Sequence, residues 1–492
     1  LDMWNNYGFL YDIFGTFSDF RIDINIIITS QFSVRVTTDE TDVEKIYNVA
    51  KEFEKKYQVK ISRNCSIVSI VGYNISENEK VKKTQDIVKK MGRNNLHIIH
   101  YSSNNLTLSY VVNSTSAEEL TQILHDSLIS KNMINNDYEK SWWFSHIKEI
   151  SAKLEQDDSV YLYNLDKVKS NCDFLRNKLT NISKMYYAMK ANNNLDVLKI
   201  IIESGFGIEC VSINEIEYIR KNFGKAVDIL FTPNYCNTKE YQIAFYHNAI
   251  VIVDNIEVIL NASEIFTGRE IGIRIDCDIG DGHHAKVITE GENVKFGFPI
   301  DEVESLINIV DKFGIKVVGL HSHKGSGILD NNSWRRTANK LTNISVFFPN
   351  LKWINLGGGF GIKTNRKELD MDKVNKSLFP IVNKGFTIFI EPGRYLVAES
   401  GILLSRVTQV RKKNNTNFIG ISTGMNSLIR PTLYNAYHPI YNISKLGEKN
   451  YLSYNIVGPI CETGDMLGEN RIMPKTSVND IILIENSGAY GK

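Results

Sequence analysis

The feature that most constrains this chain is a recurrence. From about residue 161, short apolar runs are each followed by a segment with helical spacing, at 185–189, 207–211, 229–231, 250–253, 271–275, 317–320, 353–356 and 386–390. A strand that returns parallel to its predecessor needs a crossover of a dozen or more residues, usually a helix. Eight such units in about 230 residues approach the roughly 250 over which a parallel sheet closes into a (β/α)8 barrel. Past Arg394 strand signals replace helical ones, at 401–410, 417–421, 451–457 and 480–485, which predicts an all-β unit. The lone strand 160–163 ahead of the barrel is expected to join it.

The first 130 residues follow a different rule. Helical spacing at 8–20 and 43–57 surrounds strand patterns at 24–28 and 33–37. The order then recurs with a strand at 65–71, a helix at 81–91, strands at 96–100 and 106–112, and a helix at 117–128. This predicts two similar small α+β units. Polar residues cluster between 130 and 153, where a linker is expected, with Trp142 and Trp143 packing against a neighbour. The predicted domains are therefore 1–130 (paired α+β units), 131–153 (linker), 154–166 (first strand of the β domain), 167–396 (barrel) and 397–492 (β domain).

Composition removes several function classes. A net charge of +1 gives no electrostatic footprint for nucleic acid or an anionic membrane. Apolar runs such as 26–28 fall far short of the ~20 residues of a spanning helix. No basic-then-apolar leader is evident. The six cysteines are scattered without a C-x-x-C pair or metal-ligand spacing, which is the usage of a reduced, cytoplasmic protein, and no metal site is expected. Five of them sit in apolar or β-like surroundings and are expected to pack. The chain opens at Leu1 in mid-pattern and stops soon after Tyr490, so both ends are expected to be cut, with the last β strands missing.

In a barrel of this kind the site lies at the C-terminal ends of the strands. The first strand ends in Lys190, the sixth in His321-Ser-His323-Lys-Gly325-Ser326-Gly327, the seventh in Gly357-Gly-Gly359-Phe-Gly361, and the eighth in Glu391-Pro-Gly-Arg394. A lysine at a desolvated mouth is expected to have its pKa lowered and to be nucleophilic enough for a Schiff base. An isolated lysine at a strand end ordinarily snorkels to solvent. The glycine clusters favour the first account, because glycines after the last strands let backbone amides approach a phosphate. Glu391 follows an apolar run and faces the site. His323 has no partner cluster to make it a metal ligand, and a ring stacked on a planar cofactor fits it better. His283 and His284, after the fifth strand, are likewise given no metal.

Taken in order, Tyr187-Ala-Met-Lys190-Ala-Asn192, His323-x-Gly-Ser326, Gly357–Gly359, Glu391-Pro-Gly-Arg394, Cys461-Glu-Thr-Gly-Asp465 and Gly488-Ala-Tyr490-Gly491 resemble the motifs of the fold-type III pyridoxal-phosphate decarboxylases. Met425-Asn-Ser-Leu-Ile-Arg430-Pro-Thr-Leu-Tyr434 with Ala436-Tyr-His438 resembles the diaminopimelate decarboxylases within that group. The resemblance covers about 155–492. It implies pyridoxal 5'-phosphate (PLP) held by Lys190 as a Schiff base, His323 stacked on the ring, and Glu391 facing the ring nitrogen. Ser326, Gly359, Gly393 and Tyr490 would hold the phosphate, with Gly358 and Arg394 beside them in the cofactor site. Arg394, Arg430 and Tyr434 would bind the distal carboxylate of meso-diaminopimelate, and Glu462 its distal amine. Cys461 would come from the partner subunit of a homodimer and protonate the product, lysine. Arg430 separates this reading from ornithine-type substrates, which lack a distal carboxylate.

The front end, from Met3-Trp-Asn-Asn-Tyr-Gly8-Phe9-Leu10 and at 65–72, resembles the tandem ACT regulatory domains of aspartate kinases. An ACT region ahead of such a barrel resembles bifunctional enzymes that join the first and last steps of lysine synthesis. Asn25 and Gln31 stand where that effector pattern has an aspartate and a glutamate, which weakens the case for lysine as effector. Lys324 stands where the decarboxylases usually have an apolar residue. The alternatives are another fold-type III decarboxylase (ornithine, arginine or carboxynorspermidine), a racemase, or an inactive amino-acid-sensing fragment.

Overall fold

The structure, a computed structural model, describes residues 8–491 apart from 30–32, 40, 73–74, 77–80, 83, 85–87, 89–95, 103–104, 126–127, 129–135, 156, 283, 292–293, 364–367 and 415. The chain forms two compact units, Leu1–Asn136 and Asp137–Lys492. Among the described residues no helix is long and apolar enough to cross a membrane.

In the first unit, helices Phe9–Asp19 and Val43–Glu54 accompany an antiparallel pair, β1 (Ile26–Thr29) and β2 (Val34–Thr37). Ile13 and Phe17, one helical turn apart, meet Ile22 and Val49 in a small core. Asp42 caps the second helix by accepting from the Glu44 and Lys45 amides. A second group holds β3 (Cys65–Val71), β4 (Leu96–Tyr101) and β5 (Thr107–Asn113), antiparallel in the order β3-β5-β4, with helix Ser114–His125. Leu108, Tyr110, Val112, Leu120 and Leu124 form its core. Asn25 is exposed, whereas Gln31 and most of the helix expected at 81–91 lie outside the described residues.

In the second unit β7 (Lys184–Ala188), β8 (Gly207–Cys210), β9 (Ile229–Phe231), β10 (Ile250–Val253), β11 (Glu270–Asp276), β13 (Lys316–His321), β14 (Trp353–Asn355) and β15 (Thr387–Ile390) pair in parallel, each with the next. β10 pairs with β11 and β15 pairs with β7, so the ring closes. The short β12 (Phe298–Pro299) adds to the end of β11. Alternate residues point inward: Tyr186, Leu230, Ile252, Val318, Trp353 and Phe389 fill the barrel interior. Trp353 fits because two strands offer glycine, where a Cβ would meet its ring at 2.4 Å from Gly272 and 2.0 Å from Gly319. Outward residues such as Tyr187, Ile208, Phe231 and Ile273 pack under the helices.

The remaining strands are β6 (Ser159–Tyr163), β16 (Gly401–Lys413), β17 (Thr416–Ile421), β18 (Ile440–Asn442), β19 (Tyr451–Val457), β20 (Met466–Pro474) and β21 (Ile481–Ile484). They pair in the order β18-β21-β16-β17-β19-β20, with β6 on β16. The strand ahead of the barrel thus joins the sheet behind it. β18 and β20 were not foreseen. β18 is three residues long, and β20 carries Glu469, Asn470 and Arg471 at its middle, which breaks the apolar signal. Short helices Arg394–Val397 and Arg430–Tyr434 also interrupt the expected all-β tail.

The linker expected at 131–153 is corrected over its described part, residues 131–135 lying outside the described residues. From Asp137 the chain folds into 3-10 turns and the helix Ile147–Ala152, and it packs on the β sheet. Trp143 is fully buried with Ile150 and Leu154 against Ile402, Leu404 and Leu483. The polar residues that suggested a linker coat a segment whose Tyr138, Trp142, Trp143 and Phe144 bind the sheet.

Candidate active site

Polar side chains gather where the barrel strands end. Lys190 follows β7 in a single 3-10 turn, and its Nζ donates to Glu209 Oε1 at 3.1 Å. Glu209 lies in β8, fully enclosed, and also accepts from the Thr232 hydroxyl, while its Oε2 has no partner. The Lys190 side chain remains 40% exposed at the mouth. Burial pushes its pKa down, but the charges of Glu209, Tyr490 and Glu391 prevail and hold it above the ordinary 10.5. This overturns the lowered pKa expected from desolvation, because a buried carboxylate beside an amine stabilises the ammonium more than desolvation penalises it. Burial also keeps the Glu209 carboxyl above its usual range against the pull of Lys190.

Glu391 is buried at the end of β15, with Oε1 accepting from Asn355 Nδ2 at 2.8 Å and lying 3.2 Å from His321 Nε2. Burial opposes its ionisation, but the neighbouring His321, His323 and Lys190 hold it down to about 2. His323 Nδ1 accepts from the Gly358 amide at 3.0 Å. Burial, with Arg274 and Lys190 nearby, holds its pKa well below 6.5, so the ring is neutral and carries its proton on Nε2. The glycine run is tightly enclosed: a Cβ at Gly358 would meet the Glu391 carbonyl at 2.2 Å, and Gly359 has φ +88°.

Across the mouth, Arg394 Nη2 donates to Ser326 Oγ at 3.2 Å, and the guanidinium lies 4.8 Å from the Tyr490 ring centre. Tyr490 N donates to the Ala191 carbonyl, beside Lys190, and Gly393 would bring a Cβ within 3.4 Å of the Tyr490 hydroxyl. Arg430 Nη1 bonds His438 Nε2 at 2.8 Å. Arg394 Nε and Nη1 and Arg430 Nε are buried without partners. Burial lowers both arginines, and the charge of Arg394 helps bring Arg430 to about 9. Two neighbouring buried guanidiniums with unfilled donors call for an anion. With the buried Glu391 carboxylate, the Lys190 amine and the glycine amides, these groups fit a planar, anionic, nitrogen-bearing cofactor and a carboxylate-bearing substrate.

Tyr434 makes a ring contact with His284, centres 5.7 Å apart. Cys461 and Glu462 stand exposed on a turn whose ends are fixed by Asp465, which accepts from the Met425 and Ile460 amides. The Thr432 hydroxyl donates to the Gly464 carbonyl of this turn at 2.8 Å. His283 lies outside the described residues, and among those described no group of three His, Cys, Asp or Glu could hold a metal ion. Lys324 is buried with no hydrogen-bond partner for Nζ, which lies 4.6 Å from the centre of the Trp334 ring.

Sequence reasoning passed over Glu209, Arg274 and Asn355, and gave His438 no role. Arg274, in β11, donates to Asn234 Oδ1 and to the His323 carbonyl. Each of the three in a strand is a polar residue near the end of an apolar run, the same signal that singled out Lys190 and Glu391.

Residues 165–398 match the family described as pyridoxal-dependent decarboxylase, pyridoxal binding domain. The diaminopimelate decarboxylase of Archaeoglobus fulgidus is 32% identical over 363 residues, covering 70% of this chain and 86% of that protein. That of Campylobacter jejuni is 31% identical over 355 residues, covering 69% and 87%. The crystal structure of Helicobacter pylori diaminopimelate decarboxylase complexed with L-lysine superposes with a TM-score of 0.63 at 27% identity, over 70% of this chain and 89% of that one. On this closed barrel, its sheet and these relatives, the chain belongs to the diaminopimelate decarboxylases, PLP-dependent carboxy-lyases.

Proposed function

We propose that this chain decarboxylates meso-2,6-diaminopimelate to L-lysine and carbon dioxide, the last step of lysine synthesis. The observation that carries the substrate is the pair Arg394 and Arg430, both buried with donors left over and near enough for the charge of one to lower the pKa of the other. A substrate with a second carboxylate fills that need, and an ornithine-like amine does not.

PLP, when bound, supplies an electron sink for the carbanion left by loss of carbon dioxide. Lys190 is the amine that holds it. To act as a nucleophile Lys190 gives up a proton, and Glu209, at 3.1 Å with Oε2 unpartnered, is placed to take it. Glu391, held ionised, is the residue that would favour a protonated ring nitrogen on the cofactor. His323, neutral and held by the Gly358 amide, is the flat side chain that would stack on the cofactor ring. Ser326, Gly358, Gly359, Gly393, Arg394 and Tyr490 are the phosphate side of the site. Arg394, Arg430 and Tyr434 take the distal carboxylate, and Glu462 the distal amine. In a homodimer, Cys461 of one protomer reaches the partner's site and delivers the proton that completes the product. The exposure of Cys461 and Glu462 in a single chain supports that arrangement. Residues 1–130 form an ACT-like region that senses an amino acid, lysine or a relative of it.

Carbon dioxide release from meso-diaminopimelate, measured with and without added PLP, tests the reading. Release with formation of lysine is expected, and none from ornithine or arginine. Borohydride reduction followed by peptide mapping is expected to place the pyridoxyl group on Lys190, and a label on another lysine refutes the assignment.

A further inference from the structure

We infer that His438 is a positioning residue that aims the Arg430 guanidinium without neutralising it, and that the segment ahead of the barrel braces this arrangement through Glu485. The inference rests on Arg430 binding the substrate's distal carboxylate.

Arg430 opens the short helix Arg430–Tyr434, and His438 follows it, wholly buried. An arginine only donates, so at 2.8 Å from Arg430 Nη1 the His438 Nε2 must be the acceptor. The ring proton therefore sits on Nδ1, which donates to the Glu485 carbonyl at 2.8 Å. Burial and the adjoining Arg430 charge push His438 down to about 3, so the ring is neutral near neutral pH. The charged groups facing it are Arg430, Arg394 and Arg471, and all three disfavour a second proton.

A neutral acceptor has a consequence that a carboxylate in the same place would not. Aspartate or glutamate would fix the guanidinium equally well but cancel its charge. His438 fixes one nitrogen and leaves the full positive charge, with Nε unpartnered, for an anion arriving from the barrel mouth. The restraint acts against the positive charge of Arg394, which is near enough to lower the pKa of Arg430.

The far end of the relay is held as firmly. The Glu485 side chain accepts from Ser141 Oγ at 2.6 Å and Trp143 Nε1 at 2.5 Å, and its amide donates to the Pro439 carbonyl. Residues 141–143, some 340 positions earlier in the chain, thus clamp the residue whose carbonyl orients His438.

The test is steady-state kinetics on holoenzyme carrying His438→Phe, which keeps the ring volume and removes the acceptor. KM for diaminopimelate is expected to rise about tenfold, the scale of one charge-assisted hydrogen bond. Bound-cofactor absorbance and kcat are expected to change little. Inhibition by lysine, which carries a carboxylate, is expected to weaken in step, whereas inhibition by 1,5-diaminopentane, which has none, stays unchanged. Equal weakening of both inhibitors, or an unchanged KM, overturns the inference. Arg430→Ala separates the two readings: if it leaves KM unchanged, the substrate role of Arg430 fails. If it raises KM and His438→Phe does not, only the positioning role fails. Should the Phe variant not fold, His438→Gln restores an acceptor, and a near-normal KM supports the inference. A Gln variant as impaired as Arg430→Ala refutes it.

Discussion

At the scale of single residues the site is a set of buried charges whose partners decide their states. Lys190 shows why burial alone is a poor guide: Glu209 sits 3.1 Å away, and the local carboxylates raise the amine that desolvation would lower. Lys324 is the opposite case. Nothing hydrogen-bonds its Nζ, and burial brings it from the ordinary 10.5 down to about 8. The unfolded chain holds this proton up to about pH 10.5, whereas the folded chain releases it near pH 8. Unfolding therefore takes up a proton between those values, and stability rises as pH increases through that window. Lys324→Met removes the buried cation and is expected to raise the melting temperature at pH 7.5, with the gain shrinking by pH 9.5. Thermal unfolding of both proteins at the two pH values checks this, and a gain that grows with pH contradicts it.

At the scale of elements, the segment 137–154 is the part whose role its local pattern concealed. Its composition is that of a connector, yet Trp143 is completely buried and donates to Glu485. Trp143→Ala is expected to destabilise the second unit by about 3–5 kcal/mol, the cost of removing a large aromatic side chain from a core. Denaturant unfolding followed by near-ultraviolet dichroism measures it, and a change within about 0.5 kcal/mol would show that the segment is an accessory. The barrel strands themselves were legible because each is an apolar run bounded by a helix, and their observed limits fall within two residues of those expected. Strand β18 was not legible, since Ile440-Tyr-Asn442 is neither a continuous apolar run nor followed by a long helical pattern, and the helix Arg430–Tyr434 is only five residues long.

At the scale of the molecule, the barrel and sheet form one unit and residues 1–136 another. If the site is completed by Cys461 from a second copy, Lys190→Ala and Cys461→Ala proteins are each expected to be inactive alone. Mixed after reversible dissociation, they are expected to regain activity, because a heterodimer contains one intact site. Absence of recovery, with heterodimers detected by native mass spectrometry, removes the shared-site proposal. For the first unit, calorimetric titration with lysine is expected to give heat of binding that persists in the Arg430→Ala protein, whose barrel site has lost the carboxylate contact. Its absence, with Asn25 exposed and no carboxylate at that position, would withdraw lysine as effector.

The sequence by itself determined the parallel barrel, the sheet that follows it, and most of the residues at the strand ends. These depend on periodicity and on polar residues interrupting apolar runs, which are local signals. Only the tertiary structure decided which polar groups face one another: Glu209 with Lys190, Asn355 with Glu391, and His438 with Arg430. Protonation states follow from those pairings across 8 to 36 positions of sequence. The bracing of Glu485 by Trp143 spans 342 positions. Electrostatic and packing energies depend on distance in space, and a linear pattern encodes that distance only where neighbours in the fold are also neighbours in the chain.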